Sequence, residues 1–234
     1  MIAALRTVLF FAGWVALTCA MGALGLPFLI SQRTTHFIAT NWARLTMVWL
    51  RLSTGIRTER RGEIVGQLFA SKHQSALDTL MLWVALDGPA FVLKRELYWI
   101  PIFGWYLCRS GNIAIDRSTG REAMAQIEAQ AQPLLASGRR IIIFPEGTRI
   151  RPGHYKPYRT GIARMSKLLQ LPVTPIALNA GHFWPKHALV KKPGLAVLQF
   201  LSPLPVCGED QAGWMQQIET AINSASDALA PCAE

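Results

Sequence analysis

The chain has 234 residues, a length that fits one sizeable domain plus an appendage. Its composition is 51% hydrophobic and only 16% charged, which is apolar for a soluble protein of this size and indicates contact with a membrane. The excess of 24 lysines and arginines over 14 acidic residues favours anionic partners, and both nucleic acid and anionic lipid qualify. The four cysteines are widely spaced without a Cys-x-x-Cys pair, which argues against a disulfide framework or a zinc site.

The N-terminal stretch has no charged residue between Arg6 and Arg33. As a helix, residues 7–30 would be roughly 36 Å long, enough to cross a hydrocarbon core of about 30 Å. Gly25 and Pro27 predict a break or kink in its second half. A cleaved signal peptide is the alternative, but a single arginine before the apolar run is a weak basic region for one.

A second helix is predicted after the break, because six apolar residues recur there at helical spacing. A basic amphipathic helix with tryptophans suits the headgroup zone of a bilayer, and the alternative is a helix packed on its own domain. Six arginines lie between residues 33 and 61, just after the apolar run, against one before it. This bias predicts an inner-membrane protein with its main domain on the cytoplasmic side, residues 1–58 being the membrane-associated segment and 59–234 the main domain. The six apolar residues are Phe37, Trp42, Leu45, Val48, Trp49 and Leu52.

The main domain alternates strand-length apolar runs with helical patterns, which predicts an α/β domain with a mostly parallel central sheet flanked by helices. The run Ile141-Ile142-Ile143-Phe144 is typical of a central strand that is covered on both faces. Strands are predicted at 64–70, 90–93, 112–116, 140–144, 173–178 and 195–201. Helices are predicted at 76–86, 97–108, 119–136, 160–170 and 211–229.

Chemically useful side chains follow several of these strands. His73, Asp116 with Arg117, and Glu146 all stand just past a predicted strand end. In open α/β sheets, ligands bind beyond the carboxyl ends of the strands. We therefore expect these residues to converge on one site.

His73 and Asp78 form the first motif within this group. Asp78 falls in the first turn of a predicted helix, so that its carboxylate can turn back toward the loop that holds His73. A carboxylate on one ring nitrogen fixes the tautomer and leaves the other nitrogen free to accept a proton. The alternative is a loop histidine that makes only a local hydrogen bond.

No enzyme nucleophile is evident in the sequence. There is no Gly-x-Ser-x-Gly elbow, and Ser75 fits a helix N-cap better than a nucleophile. If the protein supplies a base without a nucleophile, the attacking oxygen belongs to the substrate. This favours acyl transfer to an alcohol over hydrolysis through an acyl-enzyme.

The turn Gly147-Thr148-Arg149 is a candidate anion site. A guanidinium there can hold a phosphate through two parallel hydrogen bonds, and Gly147 lets the backbone approach a ligand closely. A β-turn with a solvated arginine is the alternative. Lys94 and Arg117 also follow strands and can reach the same pocket, although each taken singly is more often a surface charge.

Four ordered motifs resemble those of one family, the 1-acylglycerol-3-phosphate acyltransferases, which convert lysophosphatidic acid to phosphatidic acid. The resemblance covers nearly the whole chain, and its third block is highly specific. The blocks are His-x4-Asp at His73 and Asp78, Gly-x-x-x-Ile-Asp-Arg at 111–117, Phe-Pro-Glu-Gly-Thr-Arg at 144–149, and Leu-Pro-Val-Thr-Pro-Ile at 171–176.

The resemblance implies a role for each matching position. His73 is then the base that deprotonates the sn-2 hydroxyl, and Asp78 orients it. The other substrate-binding positions are Lys94, Arg117 and Arg149 for the phosphate, Glu146 and Gly147 with the adjacent Thr148 for the glycerol, and Pro172 and Val173 for the acyl region. The implied partners are an acyl carrier protein (ACP) or coenzyme A (CoA) thioester, that is acyl-ACP or acyl-CoA, lysophosphatidic acid and the bilayer, with no nucleic acid, metal or cofactor.

Several points stay open in this interpretation. Many family members have Asn where Lys72 stands, a departure that we expect to affect substrate preference more than activity. The acceptor could be a different lysolipid such as a lyso-aminolipid. A non-catalytic basic protein that binds membranes or nucleic acid is also possible, but it leaves the four ordered blocks unexplained. The aromatic cluster Trp99, Phe103, Trp105 and Tyr106 is expected to pack in the core rather than line an acyl tunnel.

Overall fold

The computed structural model describes residues 2–29, 31–100, 103–115, 122–186 and 188–231. The helices in these ranges are α1 Ile2–Gly25, α2 Gln32–Thr54, α3 Ala76–Ala85, α4 Phe103–Arg109, α5 Glu122–Ala136, α6 Gly161–Leu169 and α7 Gln211–Ala228. The strands are β1 Ile56–Arg61, β2 Leu68–Ser71, β3 Ala90–Lys94, β4 Ile113–Ile115, β5 Ile141–Ile143, β6 Val173–Leu178 and β7 Gly194–Phe200. Short 3-10 helices cover Leu26–Phe28, Arg95–Trp99 and Ala180–His182.

The seven strands form one sheet in the order β1-β7-β6-β2-β5-β3-β4. Every neighbouring pair is parallel except β6 with β7, which is antiparallel. The predicted α/β fold with a mostly parallel central sheet is therefore confirmed. The carboxyl ends of β2, β5 and β3 lie side by side at one edge of the sheet, because these strands are adjacent and parallel.

Helices cover both faces of the sheet, and successive strand residues divide between two cores. Phe69 and Ile142 pack in the core beneath α1, α2 and α3. Their neighbours Leu68 and Ile141 pack in the opposite core, with residues of α5, α6 and α7. All four side chains are fully buried, as expected for strands that are covered on both sides.

The strands agree with the sequence prediction except at the start of the sheet. The run predicted at 64–70 is extended only from Leu68, and β1 was not predicted at all. β1 reads Ile-Arg-Thr-Glu-Arg-Arg, and most of it is exposed. It is a strand because it pairs with β7 at the edge of the sheet, where polar side chains are tolerated.

The helix predicted at 97–108 is instead two shorter pieces, the 3-10 helix Arg95–Trp99 and α4. Ile100 has an extended backbone, with φ −71° and ψ 119°. It precedes Pro101 in the sequence, and the residue before a proline is sterically biased away from the helical region. The other predicted helices lie within a few residues of the observed ones.

Helix α1 is apolar on all sides, and the break predicted near Gly25 and Pro27 is confirmed, since α1 ends at Gly25. The stretch from Ile2 to Phe28 is long enough and apolar enough to cross a membrane, and little of it is buried. Two indoles of α2 bind α1: Trp49 Nε1 donates to the carbonyl of Phe10 (3.0 Å) and Trp42 Nε1 donates to Thr18 Oγ1 (3.1 Å). These bonds join α1 and α2 into a helical pair.

Helix α2 buries mostly small side chains together with Leu50, and it exposes several large apolar ones. Its buried positions include Thr40, Ala43 and Thr46. The exposed side chains are Phe37, Leu45, Val48 and Leu52, whereas Trp42 and Trp49 face α1. A helix that served only to pack on its own domain would bury these large residues instead.

A buried lysine lies where α1 meets the main domain. Lys191 is 1% exposed, and its Nζ atom has no hydrogen-bond partner among the described residues. The ammonium lies 4.0 Å from the ring centroid of Phe11, 4.6 Å from that of Trp184 and 5.8 Å from that of Phe10. Cation–π attraction from three rings therefore offsets part of the cost of burial. Burial nevertheless lowers the pKa of Lys191 from 10.5 to about 8.

This lowered pKa predicts a pH-dependent stability. In the unfolded chain Lys191 keeps its proton up to about pH 10.4, whereas in the folded protein it loses it near 8. The free energy of unfolding should therefore rise between these pH values, by at most about 3 kcal/mol, and Lys191→Met should abolish that increment. Denaturation in detergent at pH 7 to 10.5 measures the difference. The exposed neighbour Lys192 provides the control Lys192→Met, which should keep the rise.

Candidate active site

His73 follows β2 at the carboxyl edge of the sheet, and its ring is held by Asp78 as predicted. His73 Nδ1 lies 3.1 Å from Asp78 Oδ2. The same oxygen accepts hydrogen bonds from the backbone N–H groups of Gln74 (2.5 Å) and Ser75 (2.7 Å). Asp78 is fully buried, while the side chain of His73 stays 16% exposed. The imidazole thus has one nitrogen bound to a fixed acceptor and remains accessible to a ligand.

The local sequence explains why Asp78 points back at this loop. Ser75 is the N-cap of α3, and Ser75 and Asp78 form a capping box. The cap turns the Asp78 carboxylate toward the N-terminal side of the helix, where His73 lies. The interpretation of Ser75 as an N-cap is confirmed, and Asp78 serves the helix and the histidine at once.

The face of the imidazole rests on an aromatic stack that sequence reasoning missed. The His73 and Phe144 rings are 3.9 Å apart between centroids and 18° from parallel. Phe144 in turn stacks on Phe91 at 5.9 Å, and Phe91 on Trp83 at 6.4 Å. Phe144 is the first residue of the Phe-Pro-Glu-Gly-Thr-Arg block, and its place in that block was the sequence signal that could have indicated this contact. The stack and the carboxylate together define the plane and the rotation of the ring.

Glu146 holds the backbone of His73 from the neighbouring strand end. Its Oε2 accepts the N–H of His73 at 2.8 Å, and its Oε1 lies 2.8 Å from Lys72 Nζ. Lys72 also donates to Asn223 Oδ1 on α7 at 2.8 Å. Glu146 is fully buried and Lys72 is 2% exposed. Glu146 therefore fixes the backbone of the histidine. The charge of its carboxylate is neutralised by Lys72 rather than by solvent.

Lys72 makes a contact that sequence reasoning did not foresee. Its ammonium neutralises the carboxylate that positions His73, while the expected effect on substrate preference stays a prediction. Burial raises the pKa of the Glu146 carboxyl, and hydrogen bonding and charge attraction from Lys72 oppose that rise. The departure at this position is therefore tied directly to the site.

The Gly147-Thr148-Arg149 turn lies beside the histidine loop. The N–H of Ile150 donates to the carbonyl of His73 at 2.8 Å, which places Arg149 one residue from this contact. Gly147 has φ +69°, a left-handed conformation that favours glycine. The Arg149 side chain is exposed and forms no ion pair with the described residues. The exposed Arg149 side chain is therefore available to an anionic ligand next to the histidine loop.

The remaining predicted residues are placed differently. Lys94 ends β3, one strand beyond β5, and is exposed at the same edge of the sheet. Arg117 lies outside the described residues. Pro172 and Val173 are not brought to this group, because Val173 is paired with Leu68 at the opposite end of β2 and is fully buried. Their part in an acyl-binding wall stays a prediction.

The polar groups at this edge of the sheet are the His73 imidazole, the Asp78 carboxylate that holds it, and several cations. Within the described ranges, no cluster of histidine, cysteine and acidic side chains is arranged to hold a metal ion. An imidazole that is oriented by a carboxylate beside exposed Arg149 and Lys94 can remove a proton from a hydroxyl of an anionic substrate.

Comparisons with known proteins identify the class of protein. A family model described as Acyltransferase matches residues 56–179. A protein from Pseudomonas aeruginosa named 1-acyl-sn-glycerol-3-phosphate acyltransferase is 39% identical over 198 residues, which cover 82% of this chain and 77% of that protein. The human 1-acyl-sn-glycerol-3-phosphate acyltransferase alpha is 29% identical over 206 residues, covering 85% and 71% respectively.

A solved structure has the same fold. The crystal structure of the 1-acyl-sn-glycerophosphate (LPA) acyltransferase PlsC from Thermotoga maritima aligns with a TM-score of 0.73 at 19% identity, over 97% of both chains. The chain therefore belongs to the acyltransferase family. The comparisons confirm that its sequence resembles the 1-acyl-sn-glycerol-3-phosphate acyltransferases.

The buried ion pair predicts a large effect of Lys72→Met. Removal of the ammonium leaves the Glu146 carboxylate buried without a counter-charge, which should lower the free energy of unfolding by about 3–5 kcal/mol. Chemical denaturation in detergent measures this loss. Lys192→Met removes an exposed lysine and should change stability by no more than about 0.5 kcal/mol. Equal stability of the two variants would show that the pair is not structural.

Proposed function

We propose that this protein transfers a fatty acyl group from a thioester to the sn-2 hydroxyl of lysophosphatidic acid, producing phosphatidic acid. The observation that carries the proposal is the His73 imidazole, oriented by Asp78 and partly accessible beside the exposed Arg149. Family membership and the names of its relatives support the same reaction.

The proposed reaction needs one base and no covalent enzyme intermediate. Nδ1–H of His73 donates its hydrogen bond to Asp78, and this tautomer leaves Nε2 unprotonated toward the substrate. Nε2 takes the proton of the sn-2 hydroxyl as its oxygen attacks the thioester carbonyl. The carbon–sulfur bond then breaks, and the imidazolium returns the proton to the departing thiolate. Proximity of the two substrates supplies the remainder of the rate enhancement.

Cations at the mouth of the site suit the phosphate of the acceptor. Arg149 offers a planar guanidinium and Lys94 an ammonium, both exposed near the strand ends. Thr148 and Gly147 lie next to Arg149, so their hydroxyl and backbone groups can complete the anion site. Arg117 is proposed as a further phosphate ligand from the family motif alone. Glu146 acts on the acceptor only through the position of His73.

The acyl donor is proposed to be a soluble thioester of coenzyme A or acyl carrier protein. Both are anionic, and the chain has no acidic residue between Glu146 and Glu209, whereas it has basic residues on both sides of the site. The exposed apolar surface of α1 supports attachment to the inner membrane. Since six arginines lie between residues 33 and 61, just after α1, and one lies within it, we place the sheet on the cytoplasmic side.

Replacement of His73 tests the chemical step. His73→Ala should lower kcat for phosphatidic acid formation by about 10²–10⁴-fold, because the general base is lost. Purified protein with labelled lysophosphatidic acid, assayed with coenzyme A and carrier-protein thioesters in turn, measures the rate and identifies the donor. His154→Ala removes an exposed loop histidine and should keep wild-type turnover. Retained turnover in His73→Ala would refute the mechanism.

Replacement of Arg149 tests the acceptor. Loss of a charge-assisted bond to phosphate, about 1.5–3 kcal/mol, should raise the KM for lysophosphatidic acid roughly 10- to 100-fold. The activity with a monoacylglycerol, which has no phosphate, should not change. Arg164→Ala on α6 is a matched control with an exposed arginine. If Arg149→Ala left the KM for lysophosphatidic acid unchanged, a different lysolipid acceptor would be favoured.

A further inference from the structure

Four large apolar side chains stand in solvent between β3 and the end of α4. Their exposed fractions are 82% for Trp99, 43% for Ile100, 50% for Phe103 and 53% for Trp105. We call these four residues the aromatic patch. The expectation that Trp99, Phe103 and Trp105 pack in the core is wrong. Soluble proteins seldom leave so many large apolar side chains contiguous and uncovered.

Hydrogen bonds tie the described residues around the patch to the rest of the domain, so the exposure follows from the fold. The N–H of Gly104 donates to the carbonyl of Ile100 at 2.7 Å, and a side chain at Gly104 would overlap the carbonyl of Tyr98. Tyr98 Oη donates to the carbonyl of Asn112 at 3.2 Å, and Asn112 Nδ2 donates to the carbonyl of Leu107 at 2.9 Å. Polar groups of this segment are thus tied to the domain while the aromatic groups face outward.

The patch continues into the apolar surface at the end of α1. Tyr106 Oη donates to the carbonyl of Gly22 in α1 at 3.0 Å. A groove of about 480 Å³ between the two elements is lined mainly by apolar side chains. On the α1 side, Leu24 and Phe28 are 73% and 55% exposed. The residues that line the groove are Leu26, Leu29, Trp105, Cys108 and Arg109.

Charges around the patch match the headgroup zone of a bilayer. Lys94, Arg95 and Arg109 are exposed at its borders, against Glu96 as the one exposed acid among the described residues from β3 to the end of α4. Tryptophan with flanking basic residues is the composition that proteins place at the interface between lipid and water, where anionic headgroups attract the cations. Both the charge and the continuity with α1 favour lipid over a protein partner.

We propose that the aromatic patch lies in the interfacial layer of the bilayer and forms a second membrane contact beside α1. Lys94 is five residues from Trp99, so the contact holds the headgroup layer next to a proposed phosphate ligand. A lysolipid in the membrane then reaches the site without leaving the bilayer completely. The kinetic consequence rests on the proposed function, whereas the contact itself does not.

The kinetic test compares two forms of the acceptor. Trp99→Gln/Trp105→Gln should raise the KM for long-chain lysophosphatidic acid in phosphatidylethanolamine–phosphatidylglycerol vesicles about tenfold, because apolar area is lost from the interface. With a short-chain lysophosphatidic acid that is monomeric in water, kcat/KM should stay within about twofold of wild type. An equal loss with both acceptors, or no loss with either, would overturn the proposal.

Two controls separate apolar contact from other effects. Trp99→Leu/Trp105→Leu keeps an apolar surface and should restore most of the affinity for the vesicle-borne acceptor. Val65→Ser removes an exposed apolar side chain from the loop before β2, at the opposite end of the sheet, and should leave both KM values unchanged. If the wild-type protein formed a dimer that the glutamine variant lost, with unchanged kinetics, the patch would be a contact with a second copy of the chain instead.

A binding measurement tests the contact without turnover. In vesicles whose lipids are brominated near the headgroup, tryptophans in the interface are quenched by contact with bromine. Trp99→Phe/Trp105→Phe should lose a quenchable component that the wild-type protein shows. Absence of any such difference would overturn the membrane contact even if acyl transfer is normal. Conversely, quenching without acyl transfer would leave the contact standing and reject the proposed function.

Discussion

The site depends on one buried carboxylate. Glu146 accepts the backbone N–H of His73 with one oxygen and faces the ammonium of Lys72 with the other, out of contact with solvent. Lys72 reaches Asn223 on α7 as well, so the ends of two strands and the last helix are joined at this point. A buried charge is tolerated only where partners neutralise it, which makes the arrangement sensitive to each member. The position of His73 is thus set by electrostatics in the interior.

Around this carboxylate, the residues that restrain the His73 ring differ from the residues that are exposed to a ligand. Asp78 and Phe144 restrain the imidazole of His73 at its edge and at its face, and both are supplied by regular elements or their ends. The groups left exposed at the same edge of the sheet are cations, Arg149 and Lys94. A restrained imidazole beside exposed cations suits the proposed reaction, in which an anionic headgroup is brought to a fixed proton acceptor.

Most of the exposed large apolar side chains belong to a few elements. Apart from Arg6, α1 is apolar on every side, α2 exposes four large apolar side chains, and the aromatic patch extends this surface past α4. Lys191 shows how α1 is attached: its ammonium is enclosed by Phe11 and Trp184, and the backbone N–H of Lys191 donates to Thr7. Aromatic rings from both α1 and the main domain therefore contact the same ammonium, so that α1 and the main domain are packed as a unit.

The sequence by itself determined the α/β class, the break after α1 and the pairing of His73 with Asp78, because these follow from short-range periodicity, turn residues and helix capping. It also indicated that the ends of β2 and β5 would meet, since carboxyl ends of parallel strands share an edge. Only the tertiary structure decided that polar β1 is a strand, that Val173 lies far from His73, and that Lys72 neutralises Glu146. These depend on pairing and burial between distant residues. Edge pairing with β7 makes a charged segment extended, and the counter-charge of Glu146 comes from Lys72, the residue after β2.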